Sequence, residues 1–282
     1  MRYLVVAGPK DKAKAVRFQK KVGWPLFVKP DIGVGAADSY AIHNQKEFDT
    51  FFSRTLAEPY IMEEFVDGFI VSFDGICDSH SDVVFCTSDH FMTPIATVVN
   101  ELSDYYYYNN PFALPFHDID QKAFEKAGRA VVKAFGIKQR FFHIEFFVLN
   151  TDKEGLAKKG EFVALECNMR PAGGYTPDLI NYANSASCYQ IYADVISCDE
   201  NRQDMSNAKY YAFASARRDG LKYAHTDQEI LTKYHDSICM YGRYPAHMAP
   251  AMGDLYYYGR FEKYEDGMKF DSYVREKISE KK

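Results

Sequence analysis

The stretch that most constrains this chain runs from Phe141 to Gly174, where two apolar segments flank the polar turn around Asn150 to Gly160. Phe142, Ile144, Phe146 and Val148 fall on alternate positions, the period of a strand with one buried face. His143 and Glu145 then share the other face. Phe162 to Leu165 is a second short apolar strand, stopped by Pro171, Gly173 and Gly174. Glu166, Asn168 and Arg170 also alternate, so in extended geometry all three point the same way. If the two strands pair antiparallel, opposing side chains lie about 5 Å apart, which brings a glutamate from each together. Two carboxylates that close repel unless a cation joins them or one holds a proton. A divalent ion with hard oxygen ligands, beside a phosphate under a planar guanidinium, suits this set of side chains. A solvated ion pair at a strand end is the plainer account, and the strongly apolar setting of both glutamates weighs against it.

Composition narrows the partners. At 282 residues and 47% hydrophobic, the chain suits one large or two modest globular domains. The net charge of -5, with no long basic stretch, points to small-molecule substrates and away from nucleic acid. Tyr3 to Ala7 is too short for a signal peptide's apolar core, and no run approaches the roughly 20 apolar residues that span a bilayer. Cysteines 77, 86, 167, 188, 198 and 239 form no C-x-x-C pair and read as reduced thiols of a cytoplasmic protein.

In chain order, Met1–Ala7 reads as an edge strand and Lys10–Val22 as a helix with Ala15, Phe18 and Val22 on its inner stripe. A strand Leu26–Lys29 leads into the small-residue loop Pro30–Ser39, which contains Gly33, Gly35 and Ala36. Asn44, with Glu47 three residues on, caps a helix that buries Phe48, Phe51, Phe52 and Leu56. Tyr60–Val66 is a strand whose adjacent Glu63 and Glu64 must face opposite ways. Strands follow near Ile70–Ile76 and Val83–Phe91. The Tyr105–Tyr108 run, in an irregular segment ended by Asn109, Asn110 and Pro111, reads as a packed loop or an interface and not as a stacking platform. Asp118 or Asp120 caps a helix with Phe124, Ala127, Val131 and Phe135 at helical spacing, and Thr176–Pro177 opens helices reaching about Ile196. Beyond these come a strand Tyr210–Ala216, a capping box from Thr226 to Glu229, strands near Ser237–Arg243 and Leu255–Phe261, and a charged, frayed tail from Glu276. Arg217, Arg218 and Arg243 read as loop arginines, any of which could hold a substrate carboxylate.

Taken together, Lys29 in Gly23-Trp-Pro-Leu-Phe-Val-Lys-Pro30, the glycine loop, Met62-Glu-Glu-Phe-Val66, His143-Ile-Glu145 and Glu166-Cys-Asn-Met-Arg170-Pro resemble the ATP-grasp superfamily. The resemblance is nearest to the branch containing biotin carboxylase, carbamoyl phosphate synthase and amino-acid ligases, and it covers residues 10 to 200. It implies an α+β fold of two α/β subdomains whose antiparallel sheets enclose a nucleotide cleft. Residues 1–66 would be the small subdomain with the phosphate loop and adenine hinge, 67–200 the large subdomain with the metal site, and 201–282 a C-terminal α/β extension packed on the large one. By the same resemblance Lys29 would hold the α- and β-phosphates, and Gly33, Gly35 and Ala36 would close over them. Glu63, Glu64, Phe65 and Val66 would meet the adenine edge. Asp74 is the nearest candidate for the ribose. Glu145, Glu166 and Asn168 would bind Mg2+ or Mn2+, and Arg170 would lie over the γ-phosphate. The implied reaction is an ATP-dependent carboxylate–amine (or thiol) ligation through an acyl phosphate. His143 is expected to be a packed or supporting residue and not a base. Relatives of this kind carry a further N-terminal domain, so three readings stay open: a fragment, a chain that borrows the missing surface from a partner, or one that has lost catalysis. A homodimer, or a partner supplying that domain, is the assembly to look for. An ATP-binding module without catalysis of its own is the alternative, followed by a carboxylate–metal hydrolase that uses no nucleotide.

Overall fold

The computed structural model describes residues 1–32, 38–93, 98, 101 and 103–278. Two antiparallel sheets organise them. The smaller has the order β1 (Tyr3–Val6), β4 (Tyr60–Glu64), β2 (Leu26–Pro30), β3 (Tyr40–Ile42). Val6, Leu26, Val28 and Met62 turn inward against Ala15 of the helix Lys12–Val22 and against Phe48, Phe51 and Phe52 of the helix Gln45–Ser53. The second helix starts where expected: the Glu47 N–H donates to the Asn44 side chain at 3.0 Å, satisfying one of the unpaired amides of the first turn. Alternation leaves Phe27, Lys29, Ile61 and Glu63 on the sheet's other face.

The larger sheet has eight strands in the order β11-β12-β10-β7-β6-β5-β8-β9. In chain order these are β5 (Gly68–Cys77), β6 (Val83–Phe91), β7 (Tyr106–Pro111), β8 (Arg140–Leu149), β9 (Phe162–Asn168), β10 (Tyr211–Arg217), β11 (Ile238–Arg243) and β12 (Leu255–Phe261). One face packs on the helices Gln121–Phe135 and Tyr264–Arg275, the other on Thr176–Asn184 and Cys188–Cys198. Phe73, Phe142 and Phe146 of the sheet are buried together with Phe124 of the helix Gln121–Phe135. Each contributes on the order of 1.5–3 kcal/mol through removal of apolar surface from water. That helix approaches so closely that a Cβ on Gly128 would stand 2.3 Å from the Phe73 ring.

Several expectations change. The tyrosine run is no loop: Tyr106–Pro111 is a central strand. Its Asn-Asn-Pro ending looks like a turn, but Asn109 and Asn110 are fully buried. Their amides donate inward, Asn109 to Asp89 at 2.9 Å and Asn110 to the Pro115 carbonyl at 3.0 Å, so tertiary partners override the local preference. The helices expected after Thr176 are present as two, separated by Ser185 in the left-handed region and restarted by a Ser187 cap. The helix Tyr264–Arg275 was not anticipated, since no side chain caps it and Gly267 sits inside it. A Cβ at Gly267 would fall 1.9 Å from Phe213, so the glycine is there for close packing. Residues 201–282 contribute β10, β11 and β12 to the large sheet itself. No described helix is long and apolar enough to cross a membrane.

Candidate functional site

The site grows from β8 and β9. Counting strictly from Phe162, alternation would place Glu166 on the same face as Phe162. The ladder instead shifts: Phe146 pairs with Ala164 but Glu145 pairs with Glu166, leaving Leu165 as an extra residue in a bulge. Cys167 accordingly packs with Ile144 in the core, and Glu166 and Asn168 share the face of Glu145 and His143. Two rows result. Asn168, His143 and Asp74 lie side by side on β9, β8 and β5, and Glu166, Glu145 and Ser72 form the next row. The second row continues through Asp89 on β6 to Asn109 on β7.

Hydrogen bonds join these residues. Buried His143 contacts Asp74 Oδ1 through Nδ1 at 2.7 Å and Glu145 Oε1 through Nε2 at 3.2 Å, and the Ser72 hydroxyl donates to Asp74. Burial opposes a charge on His143, but the Asp74 carboxylate and the hydrogen bonds that the ring donates to Asp74 and Glu145 outweigh it and hold the pKa well above the usual histidine value. An imidazolium between two carboxylates is the result, with both N–H groups donating. Asp89 behaves oppositely. Complete burial, reinforced by the neighbouring Asp74 carboxylate, raises its pKa well above the ordinary range, so it is held neutral, and it accepts from Asn109. Glu166 is exposed and the Glu145 side chain is 21% exposed. The glutamate pair therefore opens to solvent, and its repulsion is relieved by water and by His143 as well as by any bound ion.

The other expected residues fall as follows. Lys29 pairs with Glu63 at 3.1 Å on the free face of the small sheet. Glu64 faces the other way, accepting from the Arg2 N–H at 2.6 Å with Lys153 Nζ 3.8 Å away. Lys153 also donates to the Phe65 carbonyl at 2.5 Å, tying the turn after β8 to the connection between the sheets. Val66 is buried at that connection. Arg170 lies just past β9, exposed, with Nη1 donating to the Pro171 carbonyl at 2.8 Å. Asp74, expected at the ribose, has its carboxylate directed into the His143 cluster. Gly33, Gly35 and Ala36 lie outside the described residues. Of the three loop arginines, Arg217 and Arg218 are in fact buried and donate to backbone carbonyls, while Arg243 pairs with Asp219. Asp89, Ser72 and Lys153 were missed. The first two were marked only by polar residues alternating in otherwise apolar strands.

No family model and no curated protein sequence matches the chain. Solved structures do match. L-amino acid ligase from Bacillus licheniformis superposes with a TM-score of 0.68 at 15% identity, covering 95% of this chain and 64% of that one. N5-carboxyaminoimidazole ribonucleotide synthetase from Thermotoga maritima gives 0.64 at 14%, over 97% and 66%. Carboxyaminoimidazole ribonucleotide synthase from Aspergillus clavatus, solved with ATP, gives 0.65 at 12%, over 95% and 66%. The chain has the ATP-grasp fold. It spans less than two thirds of the length of these three proteins, and at such identities the likeness speaks for ATP-grasp architecture alone. Both antiparallel sheets expected of an ATP-grasp chain are present, with Lys29 on the smaller and the glutamate pair on the larger.

Proposed function

We propose that this chain is an ATP- and Mg2+-dependent ligase that joins a carboxylate to an amine or thiol through an acyl phosphate. The observation that carries the reading is the register of Glu145 opposite Glu166, with Asn168 beside them and Arg170 just beyond. Three oxygen donors on one face are the hard ligands that Mg2+ requires, and among the described residues the neighbouring thiol, Cys167, turns into the core. When bound there, the ion would neutralise the triphosphate.

In this reading Lys29 contacts the α- and β-phosphates, exchanging its pairing with Glu63 for phosphate oxygens. Gly33, Gly35 and Ala36 belong to the loop that covers them, and backbone groups between Glu63 and Val66 meet the adenine. Arg170 steadies the charge on the γ-phosphate, where positioning and electrostatics supply most of the rate. A substrate carboxylate displaces ADP from the γ-phosphorus. The amine or thiol then displaces phosphate from the acyl carbon and releases a proton. Exclusion of water protects the acyl phosphate between these steps.

The test is release of ADP and phosphate from ATP and Mg2+ across a panel of carboxylates with amines and thiols. Glu166→Gln is expected to lower substrate-dependent turnover on the order of a hundredfold or more. Turnover that survives the substitution overturns the reading, and thermal stabilisation by ATP with no turnover across the panel favours a nucleotide-binding module.

A further inference from the structure

His143 is itself out of a substrate's reach: it is buried, and both ring nitrogens face carboxylates of its own sheet. That geometry excludes it as a general base, which needs a free nitrogen within hydrogen-bond reach of the reacting proton. It also makes His143 a poor ligand, since Nε2 is turned to Glu145. What the ring does do is connect two residues of unequal freedom. Asp74 is buried on β5 and anchored by Ser72. Glu145 is a long side chain on a partly open face, with several rotamers to lose on binding a ligand. Because His143 and Glu145 are two residues apart on one strand, their side chains share a face. The pairing of β8 with β5 then sets Asp74 directly behind the imidazole.

We propose that the Asp74–His143 pair is a positioning device that holds the Glu145 carboxylate in place opposite Glu166, so that the two acids form a ready cation site before nucleotide arrives. The inference rests on the ligase reading for the identity of that site, and it deepens it: the site's cation affinity depends on two residues that never contact the ion. The immediate neighbours of His143 fit the role. Asn168 stands on its β9 side and Asp74 on its β5 side, leaving Glu145 as the only partner of Nε2 among the described residues. Support of this kind, a hydrogen-bonded partner behind a ligating carboxylate, commonly changes metal affinity 10- to 100-fold when removed.

The experiment measures Mn2+ binding by titration calorimetry and by loss of the free-ion electron paramagnetic resonance signal, in the presence of a non-hydrolysable ATP analogue. His143→Gln and Asp74→Asn are compared with the unaltered chain. The expected result is about a 10-fold or larger loss of Mn2+ affinity in both variants, while affinity for the analogue without metal stays within about twofold of the unaltered chain. A purely structural role would move both affinities together. Mn2+ affinity that is unchanged in either folded variant overturns the proposal. If neither variant folds, nitrogen magnetic resonance of His143 in the unaltered chain decides, with an Nε2 signal that shifts on Mg2+–analogue binding supporting the device and one that stays still refuting it. An unaltered chain that binds the analogue but no Mn2+ refutes the metal site itself, and one that binds neither refutes the nucleotide reading.

Discussion

Along β9, β8, β5 and β6, successive residues go to opposite sides of one sheet, and the two sides differ sharply. Toward the helix Gln121–Phe135 lie Val71, Phe73, Phe142, Ile144, Phe146 and Val148, all buried and all apolar. Toward the helix Thr176–Asn184 lie Asn168, Glu166, His143, Glu145, Ser72, Asp74, Thr87 and Asp89. The same backbone ladder therefore carries a stabilising face and a polar one, separated by a single residue step. A dense apolar face makes the strands rigid, and a rigid strand can hold like charges at fixed spacing without collapse. Polar residues of this density are affordable only because the reverse side of each strand is fully packed.

This contrast should break first at Phe73. Phe73→Ala removes a ring stacked on Phe142 and edged by Phe124, and it should cost about 3–5 kcal/mol in urea unfolding. Glu166→Gln, across the sheet and exposed, should cost under about 0.5 kcal/mol in the same measurement. Comparable losses would show that the two faces share one network. A smaller effect is expected at Gly128, where Gly128→Ala forces a methyl against the Phe73 ring and should destabilise by about 1–3 kcal/mol despite the better helix propensity of alanine. Stabilisation instead would mean that the helix can slide outward and that the apolar face is less tightly packed.

The smallest expected effect concerns pH. Asp89 keeps its proton in the folded chain because of burial and the adjacent Asp74 carboxylate, whereas the unfolded chain releases it above about pH 4. The folded state then binds the extra proton. The contribution of this group to stability is complete below about pH 4 and falls as pH rises toward the folded-state pKa. Asp89→Asn, an uncharged near-isostere, should flatten the decline of stability with rising pH above about pH 4, followed by urea unfolding at a series of pH values. Identical slopes in the two proteins would place a charge on Asp89 and contradict the arrangement of the polar face.

How far these faces could be read from residues alone varies with the physics of each element. Helix starts at Asn44 and Thr226 were legible because a cap is a local event, a side-chain oxygen meeting an amide three residues on. The apolar side of β8 was legible because period-two alternation is also local. The strand Tyr106–Pro111 was not, since its asparagines are satisfied by Asp89 and Pro115, partners that only the assembled fold supplies. Gly267 hid a helix for the same reason: its glycine answers to Phe213 on β10.

The set of donors at the site, two glutamates, an asparagine and an arginine near strand ends, was determined by the order of residues. Their meeting was not. Alternation from Phe162 points Glu166 into the core, and it is the bulge at Leu165, a property of how β9 pairs with β8, that turns Glu166 and Asn168 to the side of Glu145. Side-chain period is local, whereas register belongs to two strands at once, and a slip of one residue exchanges the faces of everything beyond it. Asp74 and Asp89 joined the cluster in the same way, brought there by strand order.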